Sequence, residues 1–159
     1  MHQGIPPALR AKYRRECGAR CAMKTTENAL AAILEESLYA VSANDEDITP
    51  RFFERFFALH PGQRANFFHP NITCGAMVNE ILQSLLGLAT QESWVPTSIQ
   101  SLVIAHRSYG DIPLALYDEA LDLLVETLAL AAGERWTTQY DAAWRTQCAE
   151  LKIMIARAH

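Results

Sequence analysis

The sequence has few cysteines, and their arrangement suits neither a disulfide scaffold nor a metal site. Four cysteines occur among 159 residues. Cys17 and Cys21 are separated by three residues, which matches neither the C-x-x-C redox motif nor the C-x-x-C-H haem-attachment motif. A chain of this length can bury a hydrophobic core without disulfides. We therefore expect all four cysteines to be reduced thiols in a cytoplasmic protein.

Long hydrophobic runs, strand patterns and several catalytic motifs are also missing. Although 50% of the residues are hydrophobic, no apolar run has the length expected of a membrane span, and no segment alternates polar and apolar residues over the length of a strand. The motifs of nucleotide-binding loops, serine hydrolases and zinc proteases do not occur. These absences predict a soluble all-α protein and give no support to those enzyme classes.

An excess of positive charge is absent from the chain as a whole but present near its start. The formal net charge is −4, which disfavours nucleic acid as a partner. Residues 1–24 are basic, and they lack the apolar core of a secretory signal. We interpret residues 1–24 as an extension, either a solvated tail or a contact arm for a partner, and residues 25–159 as one domain.

The part of the sequence from residue 25 onward is a series of about seven amphipathic helices joined by tight corners. Apolar residues recur at helical spacing in each segment. The predicted helix starts are Thr25 or Thr26, Thr49, about Thr73, Pro113, and Thr137 or Thr138. Corners this short fit steeply crossing helices around a buried pocket better than an up-and-down bundle.

One of these helices ends in a histidine that continues an apolar stripe. Ile99, Leu102, Val103 and His106 fall at i, i+3, i+4 and i+7, and Gly110 can stop the helix a turn later. Taken alone, such a histidine is most often a core or interface residue. It can also serve as a buried switch or as a neutral nitrogen ligand at the edge of a cavity. The spacing by itself leaves these alternatives open.

The sequence around this histidine resembles the globin family, in particular bacterial single-domain globins and the globin part of flavohaemoglobins. The resemblance lies in Ile99-x-x-Leu102-x-x-x-His106-x-x-Tyr109-Gly110-x-x-Pro113, which is similar to the proximal F helix and the corner that follows it. It extends over roughly residues 25–159. It implies a globin-like fold of about seven helices around a haem pocket.

Spacings upstream agree with the same family pattern. In the family, a B-helix position is followed eight residues later by a proline and fourteen later by a haem-packing phenylalanine, and Phe53, Pro61 and Phe67 follow this order. Counting 28 residues back from His106 reaches Val78, the E-helix core position. Four residues earlier is Cys74, the distal position, which also lies seven residues after Phe67.

The resemblance implies a cofactor, a site and a function. The cofactor is haem b, with His106 as its axial iron ligand. The implied pocket residues are Phe53, Phe67, Cys74, Val78, Leu102, His106, Ile112 and Tyr117. The implied function is reversible binding of O₂, NO or CO for sensing, storage or slow haem-dependent redox chemistry, with any reductase a separate protein. We expect a monomer or homodimer with no nucleic-acid or membrane partner.

Departures from the family pattern define what kind of globin to expect. Related bacterial globins that turn over nitric oxide have tyrosine and glutamine where this sequence has Phe53 and Cys74, so donors to bound oxygen are missing. This predicts weak oxygen retention. Met77 occupies a position where related globins often have a basic residue that can reach a haem propionate. Arg107 either replaces this missing charge or is simply solvated.

The roles of two further residues, and a second possible function, are not decided by the sequence. His69 is either a surface residue or a sixth iron ligand, and Cys74 is either a packed thiol or a redox-sensitive ligand. The missing donors also fit a haem-free globin-fold module that serves regulation or protein interaction.

Overall fold

The computed structural model describes residues 29–44 and 47–159, and these residues form helices and turns only. The predicted basic extension and the first predicted cap, at Thr25 or Thr26, lie outside this part of the chain. Six α-helices follow one another: α1 (29–42), α2 (Ile48–Leu59), α3 (Pro70–Ala89), α4 (Val95–His106), α5 (Leu114–Ala132) and α6 (Thr138–Ala158). Short 3₁₀ turns occupy Pro61–Asn66, Arg107–Tyr109 and Gly133–Arg135. The all-α prediction is confirmed.

The helix starts correct one predicted cap and decide between two others. Asp47, not Thr49, caps α2, because its carboxylate accepts a hydrogen bond from the Thr49 backbone N–H at 2.9 Å. Of the two residues predicted for the start of α6, Thr137 is the cap, and its hydroxyl accepts from the Tyr140 N–H at 3.1 Å. These side chains satisfy N–H groups that have no partner within the first turn of their helices.

The helices share one hydrophobic core. Helix α6 contacts α3, α4 and α5, and α5 also contacts α2. Helix α6 buries one apolar stripe, which consists of Tyr140, Trp144, Cys148, Leu151 and Ile155. Trp144 is fully buried, and its indole N–H donates to the Ser37 hydroxyl of α1 at 2.7 Å. This hydrogen bond joins the first and last described helices.

Helix α3 is the one helix of the described residues that is long and apolar enough to cross a membrane. It spans 20 residues, and an 18-residue window has a mean hydropathy of 1.3, which meets the length and composition expected of a membrane span. The core helix of a globular protein meets the same criteria. The structure packs α3 against α2, α4 and α6.

A close contact fixes the corner between α3 and α4. A Cβ atom added at Gly87 would lie 2.7 Å from Trp94 Cζ2 and 2.9 Å from Val95 Cγ2, so only glycine fits there without movement. The end of α3 and the start of α4 therefore touch at this point. The two helices form a hairpin with its vertex at Gly87.

Candidate functional site

An open cavity of about 310 Å³ is bordered by α3, α4 and the neighbouring helices. Helix α3 lines it from Thr73 to Ser84, and α4 lines it from Ile99 to His106. Leu116, Tyr117, Ala120 and Leu121 of α5 and Leu151 and Ile155 of α6 also line it. Its walls are mostly apolar and its volume is in the range of small-molecule and cofactor pockets.

His106 places an imidazole on the wall of this cavity. It is the last residue of α4, and its Nδ1 is 2.8 Å from the Leu102 carbonyl oxygen one turn earlier. Because a carbonyl only accepts, Nδ1 carries the proton and donates it, which leaves Nε2 with a free lone pair. A neutral imidazole held in this way has the orientation and tautomer of a metal ligand.

Aromatic rings and a second cavity surround the His106 side chain. Its ring centroid is 5.6 Å from that of Tyr117 and 6.3 Å from that of Tyr109. Burial raises the pKa of the Tyr117 phenol, an effect that the nearby Arg107 partly opposes. A second cavity, about 300 Å³, borders His106 together with Asp111, Ile112 and His159. The imidazole is thus half-buried and accessible from cavities on two sides.

Five of the predicted pocket residues lie on the wall of the first cavity. They come from three different parts of the chain and are Phe67, Leu102, His106, Ile112 and Tyr117. Four of them cluster near the end of α4, and Phe67 follows the 3₁₀ turn Pro61–Asn66 at the other side of the sequence. The fold therefore brings together residues separated by 50 positions.

The structure places Phe53, Cys74 and Val78 elsewhere, because none of them lines this cavity. Phe53 is 4% exposed and packs behind Phe67 in an edge-to-face contact with ring centroids 5.1 Å apart. Cys74 and Val78 lie on the stripe of α3 that continues through Leu85 into the core. The predicted role of these three residues in a haem pocket stays a prediction.

The α3 residues that line the cavity form a stripe beside the one that holds Cys74 and Val78. Its members are Thr73, Ala76, Met77, Glu80, Ile81 and Ser84. Met77 and Cys74 are three residues apart, which turns them about 60° from each other around the helix axis. Helix α3 thus carries apolar residues on two adjacent stripes, one toward the core and one toward the cavity, and Ile81 belongs to both.

The remaining candidates also have definite places. His69 is exposed at the N-terminus of α3 and does not line the cavity. The Arg107 guanidinium donates to the backbone carbonyl of His159 at 3.1 Å. Burial raises the pKa of the Cys74 thiol and keeps it protonated, although Arg64 partly opposes this shift. Cys74 thus has the properties of a packed thiol.

The described residues contain no group of three or more His, Cys, Asp or Glu side chains that could hold a metal ion by themselves. His106 is therefore a single nitrogen donor in apolar surroundings. One such donor suits a metal that already carries its other ligands, as in a porphyrin. Comparison with protein-family models, with curated proteins and with solved structures gives no match.

Proposed function

We propose that this chain is a globin-like protein that binds haem b through His106 and uses it to bind a diatomic gas, O₂, NO or CO. The observation that carries the proposal is the His106 imidazole, whose Nδ1–H is held by the Leu102 carbonyl and whose Nε2 is available on the wall of an apolar cavity. The role is sensing, storage or slow redox chemistry with an external electron donor.

The chemistry of the cavity residues suits a haem group. A porphyrin is a large apolar disc, so burial against apolar side chains drives its binding and one coordinate bond fixes the iron. Leu102, Ile112 and Tyr117 surround His106, while Phe67 and Ile81 belong to other parts of the wall. When bound, the haem iron supplies the position at which a gas coordinates.

The order of the helices supports a globin-like arrangement. A short 3₁₀ turn at Pro61–Asn66 separates α2 from the long α3, and α4 ends at His106 before the corner that leads to α5. This order, with the histidine at the end of α4, agrees with the family resemblance of the sequence. The cavity lies between α3 and α4, where the resemblance implies a haem pocket.

The α3 wall of the cavity influences the oxygen affinity that we expect. Met77, and not Cys74, lines the cavity from α3. A thioether accepts hydrogen bonds weakly and donates none. We therefore expect no hydrogen bond from Met77 to bound oxygen, and weak oxygen retention requires that the Thr73 and Ser84 hydroxyls on the same wall do not donate to it either.

A haemin titration of the purified protein tests the proposal. We expect a sharp Soret band that saturates at one haem per chain in the wild type and is lost in His106→Ala. His69→Ala is the matched control, because His69 is an exposed histidine outside the cavity. This control should bind haem as the wild type does.

Absence of stoichiometric uptake by the wild type would contradict the haem proposal. The same would hold if His106→Ala bound haem as tightly as the wild type and gave the same spectrum. The first result would favour the alternative of a haem-free regulatory or interaction module.

A further inference from the structure

The hairpin of α3 and α4 sets Met77 and His106 at the same level of the cavity. Met77 lies ten residues before Gly87, and His106 lies eleven residues after Val95, while Gly87 and Val95 meet at the vertex. At about 1.5 Å per helical residue, the two side chains lie about 15 and 17 Å along their arms. Both also line the cavity between the arms. The two side chains therefore border the same cavity, on different helices and at similar distances from the vertex.

Met77 is the neutral soft donor of the cavity wall on α3. The thiol of Cys74, the other sulfur of this helix, is buried on the adjacent core stripe. Glu80, one turn further along the cavity stripe, is exposed. Met77 itself is half-buried and packs against the core cluster. Its three rotatable bonds let the sulfur shift position at little cost.

A thioether opposite an imidazole is a known pair of axial ligands for haem iron. The Met and His pair occurs in cytochromes c, where methionine ligation raises the reduction potential. Thioether sulfur is a soft donor and carries no charge that burial would penalise. Met77 can therefore occupy an apolar cavity and still offer a lone pair to iron.

We propose that the Met77 sulfur is the second protein ligand of the iron, opposite His106 Nε2, whenever no gas is bound. This inference rests on the proposed haem function and adds a form of regulation to it. The sulfur lone pair forms one coordinate bond without transfer of an electron or a proton, and an incoming gas must displace it. Met77 thus sets the apparent gas affinity by competition, and it favours the ferrous state.

The test compares haem-loaded wild type with Met77→Leu and Met154→Leu. Leucine nearly conserves the volume of methionine, so the fold is retained. Met154 is a matched control, because it is a half-buried methionine of α6 that does not line the cavity. The measurements are haem stoichiometry, electron paramagnetic resonance of the ferric protein, the near-red thioether-to-iron absorption band, the reduction potential, and CO affinity.

We expect the wild type and Met154→Leu to be low-spin, with the thioether band present. Met77→Leu should bind haem with the same stoichiometry, lose that band, become high-spin and show a lower reduction potential. If the Met77 sulfur is off the iron in about a tenth of the wild-type molecules, the CO affinity of Met77→Leu should be about tenfold higher than that of the wild type.

The outcomes separate this inference from the proposed function. If the wild type binds haem through His106 but is high-spin without the thioether band, or if Met77→Leu has the same spectra as the wild type, the role of Met77 is refuted and the haem proposal stands. If the wild type takes up no haem in stoichiometric amount, both are refuted. If Met77→Leu does not fold, the spin state and the thioether band of the wild type still test whether a thioether binds the iron.

Discussion

Gly87 is the residue that holds the cavity hairpin at its vertex. It is buried in α3, and the Trp94 and Val95 side chains occupy the space where a Cβ atom would lie. Val95 is itself almost completely buried, so it cannot move aside freely. This contact brings the end of α3 and the start of α4 together and lets their other ends form the cavity walls.

Substitution of Gly87 by alanine should destabilise the protein. The added methyl group would overlap Trp94 and Val95, and overpacking of this kind costs about 1 to 3 kcal/mol. Gly75→Ala is the control, since a Cβ atom there meets nothing within 4 Å. In a helix interior that change should stabilise by about 0.5 to 1 kcal/mol. Urea unfolding measures both, and an equal effect of the two substitutions would contradict the close contact.

The Cys148 thiol makes stability depend on alkaline pH. Burial raises its pKa from 9.0 to about 12, while Lys152 partly opposes the shift and Asp122 adds to it. The folded protein therefore holds the thiol proton more tightly than the unfolded chain does. This contribution to stability is complete below pH 9 and is lost as the pH rises from 9 toward 12.

A Cys148→Ala variant tests this linkage. Between about pH 8 and about pH 11, the wild type should lose roughly 2 to 3 kcal/mol more of its free energy of unfolding than the variant does. The alanine variant also loses the packing contacts of the sulfur atom at every pH, so the comparison is between the pH slopes and not between the absolute stabilities. The measurement is urea unfolding across the pH range. Equal losses in the two proteins would show that the thiol does not couple ionisation to folding.

At the scale of elements, a buried hydrogen-bonded chain joins α1 to α6. The Ser37 hydroxyl donates to the Leu34 carbonyl at 2.6 Å and accepts from the Trp144 indole N–H at 2.7 Å. Ser37 and Trp144 are both fully buried, so water cannot replace either partner. Both polar groups are satisfied only while the two helices are packed together.

Ser37→Ala should therefore weaken the packing of α1 on α6. The substitution leaves the buried indole N–H without an acceptor, which costs about 1 to 3 kcal/mol. Ser42→Ala is the matched control, because Ser42 makes the same kind of hydrogen bond to the carbonyl three residues earlier in α1 but is exposed. Its effect should stay within about 0.5 kcal/mol. Thermal unfolding measures the stability of both variants. A similar loss of stability in each would show that the Ser37 hydrogen bond to Trp144 does not hold α1 on α6.

The elements also show which part of the fold could be predicted from the sequence. Helices α4 and α6 each bury a single stripe, so the apolar periodicity identified their inward faces, with Val103 and Trp144 among the fully buried residues. The end of α4 at His106 was predicted because Gly110 and Pro113 follow within a turn or two. Local signals were sufficient wherever one face of a helix is buried.

The cavity side of α3 could not be predicted in the same way. This helix buries Cys74, Val78 and Leu85 in the core and turns Met77 and Ile81 to the cavity, so its apolar surface covers more than one stripe. Periodicity then does not distinguish the core side from the cavity side. The distinction depends on how α3 crosses α4 and α6, which is tertiary information absent from the spacing.

For the whole molecule, the arrangement separates a stable core from an adaptable cavity. Helices α5 and α6 supply several of the fully buried side chains that do not line the cavity, including Leu124, Leu128 and Trp144. The cavity lies beside this core, between the arms of the α3 and α4 hairpin, and His106 stands at its edge.

Chemical rescue of a His106→Gly variant tests the central proposal most directly. Removal of the imidazole opens a space on the cavity wall beside Leu102 and Tyr117, which free imidazole can occupy. We predict that wild-type protein binds one haem per chain, that the variant loses this binding and its Soret spectrum, and that added imidazole restores both. Failure of the wild type to bind haem, or haem binding by the variant that is indifferent to imidazole, would contradict the account.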